Sequence, residues 1–243
     1  LGPSFPYHDW RQSPFHLDSQ LCGTCHEVSN PALTRQPNGD YTVNTLDAPH
    51  PTQLPYDEFP IERTFSEWKN SHFAKAKIEM GGRFGGNQTA VSTCQDCHMP
   101  KTTGTARNPV LGGAVRNDLP LHDFNGANSW VLDAVRSIYP DSETGLTNAS
   151  VAAAHQRTQQ LLSNAADLEA SVKNGQLAVR VVNQSGHKLP TGYGEGRRMW
   201  INVKFFDAGN TLIAERGAYD VGTAVLTGGD TKVYEIEQGI DAN

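Results

Sequence analysis

Cysteine is scarce in this chain of 243 residues: there are four, and none lies outside two five-residue motifs. No sulfur is left over for a separate disulfide framework. Positive charge is also short, with 20 Lys and Arg against 26 Asp and Glu for a net charge of -6. That argues against nucleic acid as a partner, since phosphate binding needs clustered Lys and Arg. No apolar run approaches the ~20 residues that span a bilayer. Apolar residues make up 37% and mean hydropathy is -0.51, low for a chain with room for one large or two modest domains. No nucleophilic triad, phosphate loop or paired-carboxylate signature rises above background. The chain opens on Leu1 without a signal-peptide pattern and is expected to be a processed protein or a fragment of a longer one. A strand-like stretch at residues 232–237, close to the end, reads as a domain cut short.

What is present is concentrated in Cys22-Gly23-Thr24-Cys25-His26 and Cys94-Gln95-Asp96-Cys97-His98. C-x-x-C-H is the attachment pattern of c-type haem: two thiols form thioethers to the porphyrin vinyls, and the histidine ligates the iron. A zinc ribbon can use two C-x-x-C knuckles, but a histidine beside each second cysteine is then surplus and the gap between knuckles is long. A thioredoxin-like pair needs a strand before it and a helix after it in a βαβ unit, a pattern found at neither motif. The expected cofactor is therefore haem c, two groups covalently attached through Cys22, Cys25, Cys94 and Cys97, with iron bound by His26 and His98. Haem supplies its own apolar surface, which explains the low apolar content. Its attachment to cysteine takes place outside the cytoplasmic membrane, so the expected location is periplasmic or extracellular, at the cell surface.

The texture of the chain changes once. Residues 1–147, rich in Gly, Pro, Asn, Asp and Thr, read as a mostly irregular and α haem-binding domain with short helical signals such as residues 65–77. Val151, Ala154, Thr158, Leu161, Leu162 and Ala165 then recur at helical spacing. A connecting amphipathic helix is expected over 148–174, capped by Asn148 or Ser150 and stopped by Asn174-Gly175. From 175 to 243 the period is two: Leu177, Val179 and Val181 alternate, and residues 199–206 and 211–216 flank Ala208-Gly209-Asn210 as a hairpin. That region reads as an antiparallel, sandwich-like β domain, making the whole α+β.

Function turns on the second axial ligand of each iron. Two histidines saturate the iron and suit it to electron transfer, whereas an open position suits it to small-molecule chemistry. Seven histidines remain: His8, His16, His50, His72, His122, His155 and His187. His155 reads as a solvated residue on the polar side of its helix, and His50, between two prolines, as an exposed loop residue. His72 follows Trp68 by one helical turn, so an aromatic can pack on the porphyrin it ligates. His122 is followed by Asp123, placed to orient its second ring nitrogen. His16 precedes the first motif, and His187 lies in the loop after the first β-strand. These four are the candidate distal ligands. Met80 and Met199 are sulfur alternatives, while Met99 points from the proximal side.

The Trp-x-x-x-His segment, Cys94-Gln-Asp-Cys-His-Met-Pro100 and the downstream His122 resemble the core of the multihaem c-type cytochromes, the group of pentahaem nitrite reductase, hydroxylamine oxidoreductase and tetrahaem carriers. Residues 183–193, Asn-Gln-Ser-Gly-His-Lys-Leu-Pro-Thr-Gly-Tyr, with Arg197-Arg-Met-Trp200, resemble large multihaem cytochromes of metal-reducing and related anaerobic bacteria. The resemblance implies that His122 ligates the haem of Cys22 and Cys25, and that His72 or His187 serves the haem of Cys94 and Cys97. The Cys-x-x-Cys-Lys motif of the nitrite reductases is absent, and nothing marks a tyrosine crosslink. The function implied is electron transfer between haems and on to another redox protein or a copy of this chain. Spare histidines would then ligate a neighbouring subunit's haem, as in an extracellular haem wire. The alternative is an enzyme with one open haem reducing a nitrogen oxide or a peroxide.

Overall fold

Helix takes about 22% and strand about 32% of the chain in this computed structural model. The architecture is α+β, with small antiparallel sheets reaching into the N-terminal half, which the sequence reads as mostly irregular and helical. The structure describes residues 11, 13–107, 110, 113–195, 197–227, 229 and 231–237; His8 lies outside them. Contacts divide the chain into two compact units, one of residues 1–25 and 65–187, the other of residues 26–64 and 188–243.

In the first unit a 3-10 turn, Pro14–Leu17, leads into a one-turn helix, Gln20–Gly23, and so into the first motif. The helical signal at residues 65–77 forms only as Thr64–Lys69. The second motif is itself a short helix, Cys94–His98, followed by a hairpin of Lys101–Thr105 and Val115–Pro120. The long helix runs Asn148–Asn164, shorter than expected, and its cap is Thr147, whose side chain and that of Ser150 bond each other's backbone N–H. Residues Ala166–Lys173 are strand, paired along their whole length with Gln176–Asn183. Asn174-Gly175 is therefore a hairpin turn and not a helix stop: both residues have positive φ, 53° and 77°, the twist that two-residue hairpins require.

The second unit contains a three-stranded sheet with Val28–Arg35 between Tyr41–Val43 and Glu58–Glu62. Pro31 cannot donate to the ladder, and the pairing with Glu58–Glu62 shifts register between Asn30 and Thr34. The expected hairpin is present as Val203–Phe206 with Leu212–Arg216; Asp207 Oδ1 closes its turn by accepting from Gly209 and Thr211 N–H, both at 2.8 Å. Met199 belongs to a separate strand, Arg198–Trp200, paired with Val233–Glu235. Among the described residues the ladders after residue 165 are all two-stranded.

Little of the apolar side-chain surface is enclosed. Phe84, Val91 and Val151 are the buried apolar residues among those described, while Trp130, Ile138, Leu168 and Val172 are among many left exposed. The most enclosed residues, Val91 and Ser19, sit beside the second motif.

Candidate functional site

The second motif is held from both ends. Thr93 Oγ1 accepts from Asp96 N–H at 3.1 Å, while the buried Asp96 carboxylate accepts from Thr93 and Ser92 N–H. This reciprocal cap satisfies the first orphan donors of a helix too short to form alone. Ser19 Oγ accepts from Cys94 N–H at 3.1 Å, and Gln95 Nε2 donates to the carbonyls of His16 and Asp18 at 3.2 and 2.8 Å. The segment leading into the first motif is thereby fastened onto the second, and the Cys22 and Cys94 thiols become hydrogen-bonding neighbours.

Burial pushes the Cys22 thiol up to about 11, helped by the neighbouring Cys94, and pushes Cys97 up to about 12, helped by Asp96. Cys94 is also raised, mainly by burial. Redox and nucleophilic cysteines work as thiolates at depressed pKa, so these environments oppose a thioredoxin-like or catalytic-cysteine role.

His98 Nδ1 lies 2.6 Å from the carbonyl of Asn125. A carbonyl only accepts, so Nδ1 carries the proton and Nε2 the lone pair. Arg157, on the long helix, steadies Asn125 through a 3.1 Å bond from Nε to Oδ1 and stands 3.3 Å from Asp123 Oδ2. The ring of His187 lies nearly parallel to that of His98, with centres 6.2 Å apart and planes inclined by 17°. The two rings are near-parallel neighbours within the first unit.

The loop holding His187 is built by its own motif. Asn183 Nδ2 donates to the His187 carbonyl at 2.6 Å, and Asn183 Oδ1 accepts from Ser185 N–H at 2.8 Å. Gly186 is required by close approach: a Cβ there would lie 3.1 Å from Trp68 Cδ1 and 3.4 Å from Phe73. Trp68 is itself fixed by donating Nε1–H to the Ser92 carbonyl at 2.8 Å.

In the second unit, His26 Nδ1 lies 2.8 Å from Glu62 Oε1; the imidazole is 60% exposed and the carboxylate 14%. Thr64 Oγ1 donates to the same carboxylate oxygen at 3.3 Å and accepts from Gly192 N–H at 3.0 Å. The Thr191 hydroxyl is 2.9 Å from Thr64 Oγ1. Both motif histidines thus engage Nδ1 and present Nε2, the usual arrangement around a metal-ligating imidazole. In this respect the residues fit haem.

Of the other described histidines, all but His16 are placed differently from their sequence reading. His72 is exposed and lies beyond the end of its helix, not one turn along it. His122 is exposed and packs edge-on against Phe124, 6.0 Å between ring centres; its neighbour Asp123 pairs with Arg157 instead of orienting it. His16 is exposed in the 3-10 turn. His50 is the largest correction, buried at 7% exposure. Its Nδ1 accepts from the N–H groups of Thr52 and Gln53 at 3.3 Å, leaving Nε2–H to donate to Thr34 Oγ1 at 2.9 Å. His155 is half-buried, not fully solvated, and pairs with Asp133 at 3.0 Å. Met80 lies in a turn beside Gly81, Gly82 and Arg83, and Met199 is in a strand.

Glu62, Asn125, Ser19 and Arg157 are absent from the sequence reading, and Gln95 enters it only as a motif residue, because each acts across a chain separation that no motif spacing encodes. Among the described residues, no group of three or more His, Cys, Asp or Glu side chains converges on a single ion. No family model matches the chain, and no curated protein or solved structure matches it.

Proposed function

We propose that the chain is an electron-transfer unit of a multihaem c-type cytochrome, carrying two haem groups on Cys22, Cys25, Cys94 and Cys97. The observation that carries this reading is the His98–His187 pair, near-parallel imidazoles 6.2 Å apart beside a C-x-x-C-H motif. Bound haem iron cycles between ferric and ferrous states, and two imidazoles let it do so with little rearrangement. His98 and His187 hold the iron of the second haem from either side. Asn125 and Glu62 keep the two proximal rings in the tautomer that offers Nε2. The small buried apolar core fits a domain whose interior is completed by porphyrin. For the first haem, ligated by His26, the distal ligand implied by the resemblance is His122. Exposed His16 and His72 are available to a neighbouring subunit. Electrons pass between the haems and on to another redox protein or a copy of this chain, in the periplasm or at the cell surface.

A second reading has one specific observation in its favour. The unit containing His26 has one other described histidine, His50, and both of its ring nitrogens are engaged by Thr34, Thr52 and Gln53. An open iron above His26 would make the chain an enzyme reducing a small nitrogen oxide or peroxide. The test is the absorption spectrum of the dithionite-reduced holoprotein before and after carbon monoxide. A Soret band that does not move supports the carrier; a shift reveals an open iron and selects the enzyme.

A further inference from the structure

The two proximal histidines differ in what holds them. His26 gives its Nδ1–H to a carboxylate, Glu62 Oε1, at 2.8 Å. His98 gives its own to a neutral carbonyl, Asn125, at 2.6 Å. Asn125 is in turn bonded by the cationic Arg157. A carboxylate acceptor draws the imidazole toward imidazolate and places negative charge one residue from the iron, stabilising the ferric state. Glu62 is mostly enclosed, at 14% exposure, so solvent screens it weakly. The neighbouring Arg63 turns elsewhere, to Glu27 at 3.6 Å and to the carbonyls of Val28 and Pro55. On the other side the acceptor is a neutral carbonyl, and Arg157 behind it is itself paired with Asp123 at 3.3 Å, so no net negative charge is added there.

We propose that these two contacts set the haem potentials apart: the His26 haem is the low-potential site and the His98 haem the high-potential site. Glu62 is the positioning and tuning residue responsible. Electrons therefore enter the pair at the first motif and come to rest at the second, which gives the unit a direction. This rests on the haem reading above and extends it. Transfer between the sites moves one electron, leaving the donor iron ferric and the acceptor iron ferrous, with no bond made or broken. The thiols of Cys22 and Cys94, one attachment point of each haem, are neighbours in the first unit.

The experiment is a spectroelectrochemical titration of the holoprotein, preceded by a pyridine haemochrome assay. Absence of haem c in that assay removes the underlying reading. Haem c with unaltered waves in the variants removes only this inference. The wild type is expected to titrate in two resolved one-electron waves. Glu62→Gln keeps the shape and deletes the charge. It should raise the lower wave by about 59 mV, a tenfold change in the ferric-to-ferrous ratio, and leave the upper wave in place. Thr64→Val is the second variant, informative even if Glu62→Gln fails to load haem. It strips a hydrogen bond from the carboxylate, strengthens its pull on His26, and should move the lower wave down. Movement of the upper wave in either variant, or no movement in both, overturns the proposal.

Discussion

Replacing His187 with alanine is the perturbation with the most sharply defined outcome. The substitution removes one imidazole of the 6.2 Å pair and leaves the loop anchored, since Asn183 Nδ2 and the Ser185 hydroxyl bond the backbone carbonyl of residue 187, not its ring. Trp68 and Phe73 still pack on Gly186. The backbone of the loop should therefore keep these bonds in the variant. The electronic effect is large and countable. On the proposed reading, one iron per chain should lose its sixth ligand, become five-coordinate and bind carbon monoxide. The assay is the reduced-plus-CO minus reduced difference spectrum, scaled to haem content. The CO-reactive fraction should rise over wild type by one haem equivalent per chain, half of the total. His72→Ala, the competing candidate for the same iron, should not raise it, because His72 lies exposed beyond its helix. A His187→Ala protein with the wild-type CO response, alongside a His72→Ala protein that gains one CO-binding haem, would refute the reasoning.

Gly186→Val should lower the thermal midpoint by the equivalent of about 1–3 kcal/mol of overpacking, and partly reproduce the CO response of His187→Ala, because the added side chain meets Trp68 and Phe73. His50→Ala should cost about 1–3 kcal/mol by stranding the hydrogen bonds of Thr34, Thr52 and Gln53, measurable by denaturant titration, with both haem spectra unchanged. In the haem-free chain, alkylation of Cys97 and Cys22 should be slow at pH 8. It should accelerate as pH rises toward about 12 and about 11 respectively, since burial holds both thiols above their ordinary value of 9.0. The sign for stability follows: the folded chain keeps protons that the unfolded chain releases above pH 9.0, so stability falls with pH from 9.0 to about 12. Mass spectrometry of timed alkylation and pH-dependent melting check the two halves.

The two C-x-x-C-H motifs are legible from sequence because they are local: two thiols and an imidazole within five residues. The helix at Asn148–Asn164 is legible for the same reason. Its C-terminal boundary is misjudged because Asn-Gly both ends helices and closes hairpins. The alternation of Leu168, Ala170 and Val172 with Asp167, Glu169 and Ser171 is the signal that separates the two. The partners of the two motif histidines are illegible. Glu62 reaches His26 across 36 residues and Asn125 reaches His98 across 27, and the Asn125 contact uses a backbone carbonyl that any residue carries. His50 is misread because Pro-His-Pro reads as an exposed loop, whereas its ring is the acceptor that organises the turn. Of the distal candidates, His187 is brought opposite a motif histidine by a side-chain and backbone network within its own loop, which composition alone does not reveal.

The most direct test of the central claim is a pyridine haemochrome assay on the purified, denatured chain, with a thiol count on the same sample. Two haem c equivalents per polypeptide and no titratable thiol are predicted, since all four cysteines would be thioethers. Four free thiols without haem c bands would contradict it.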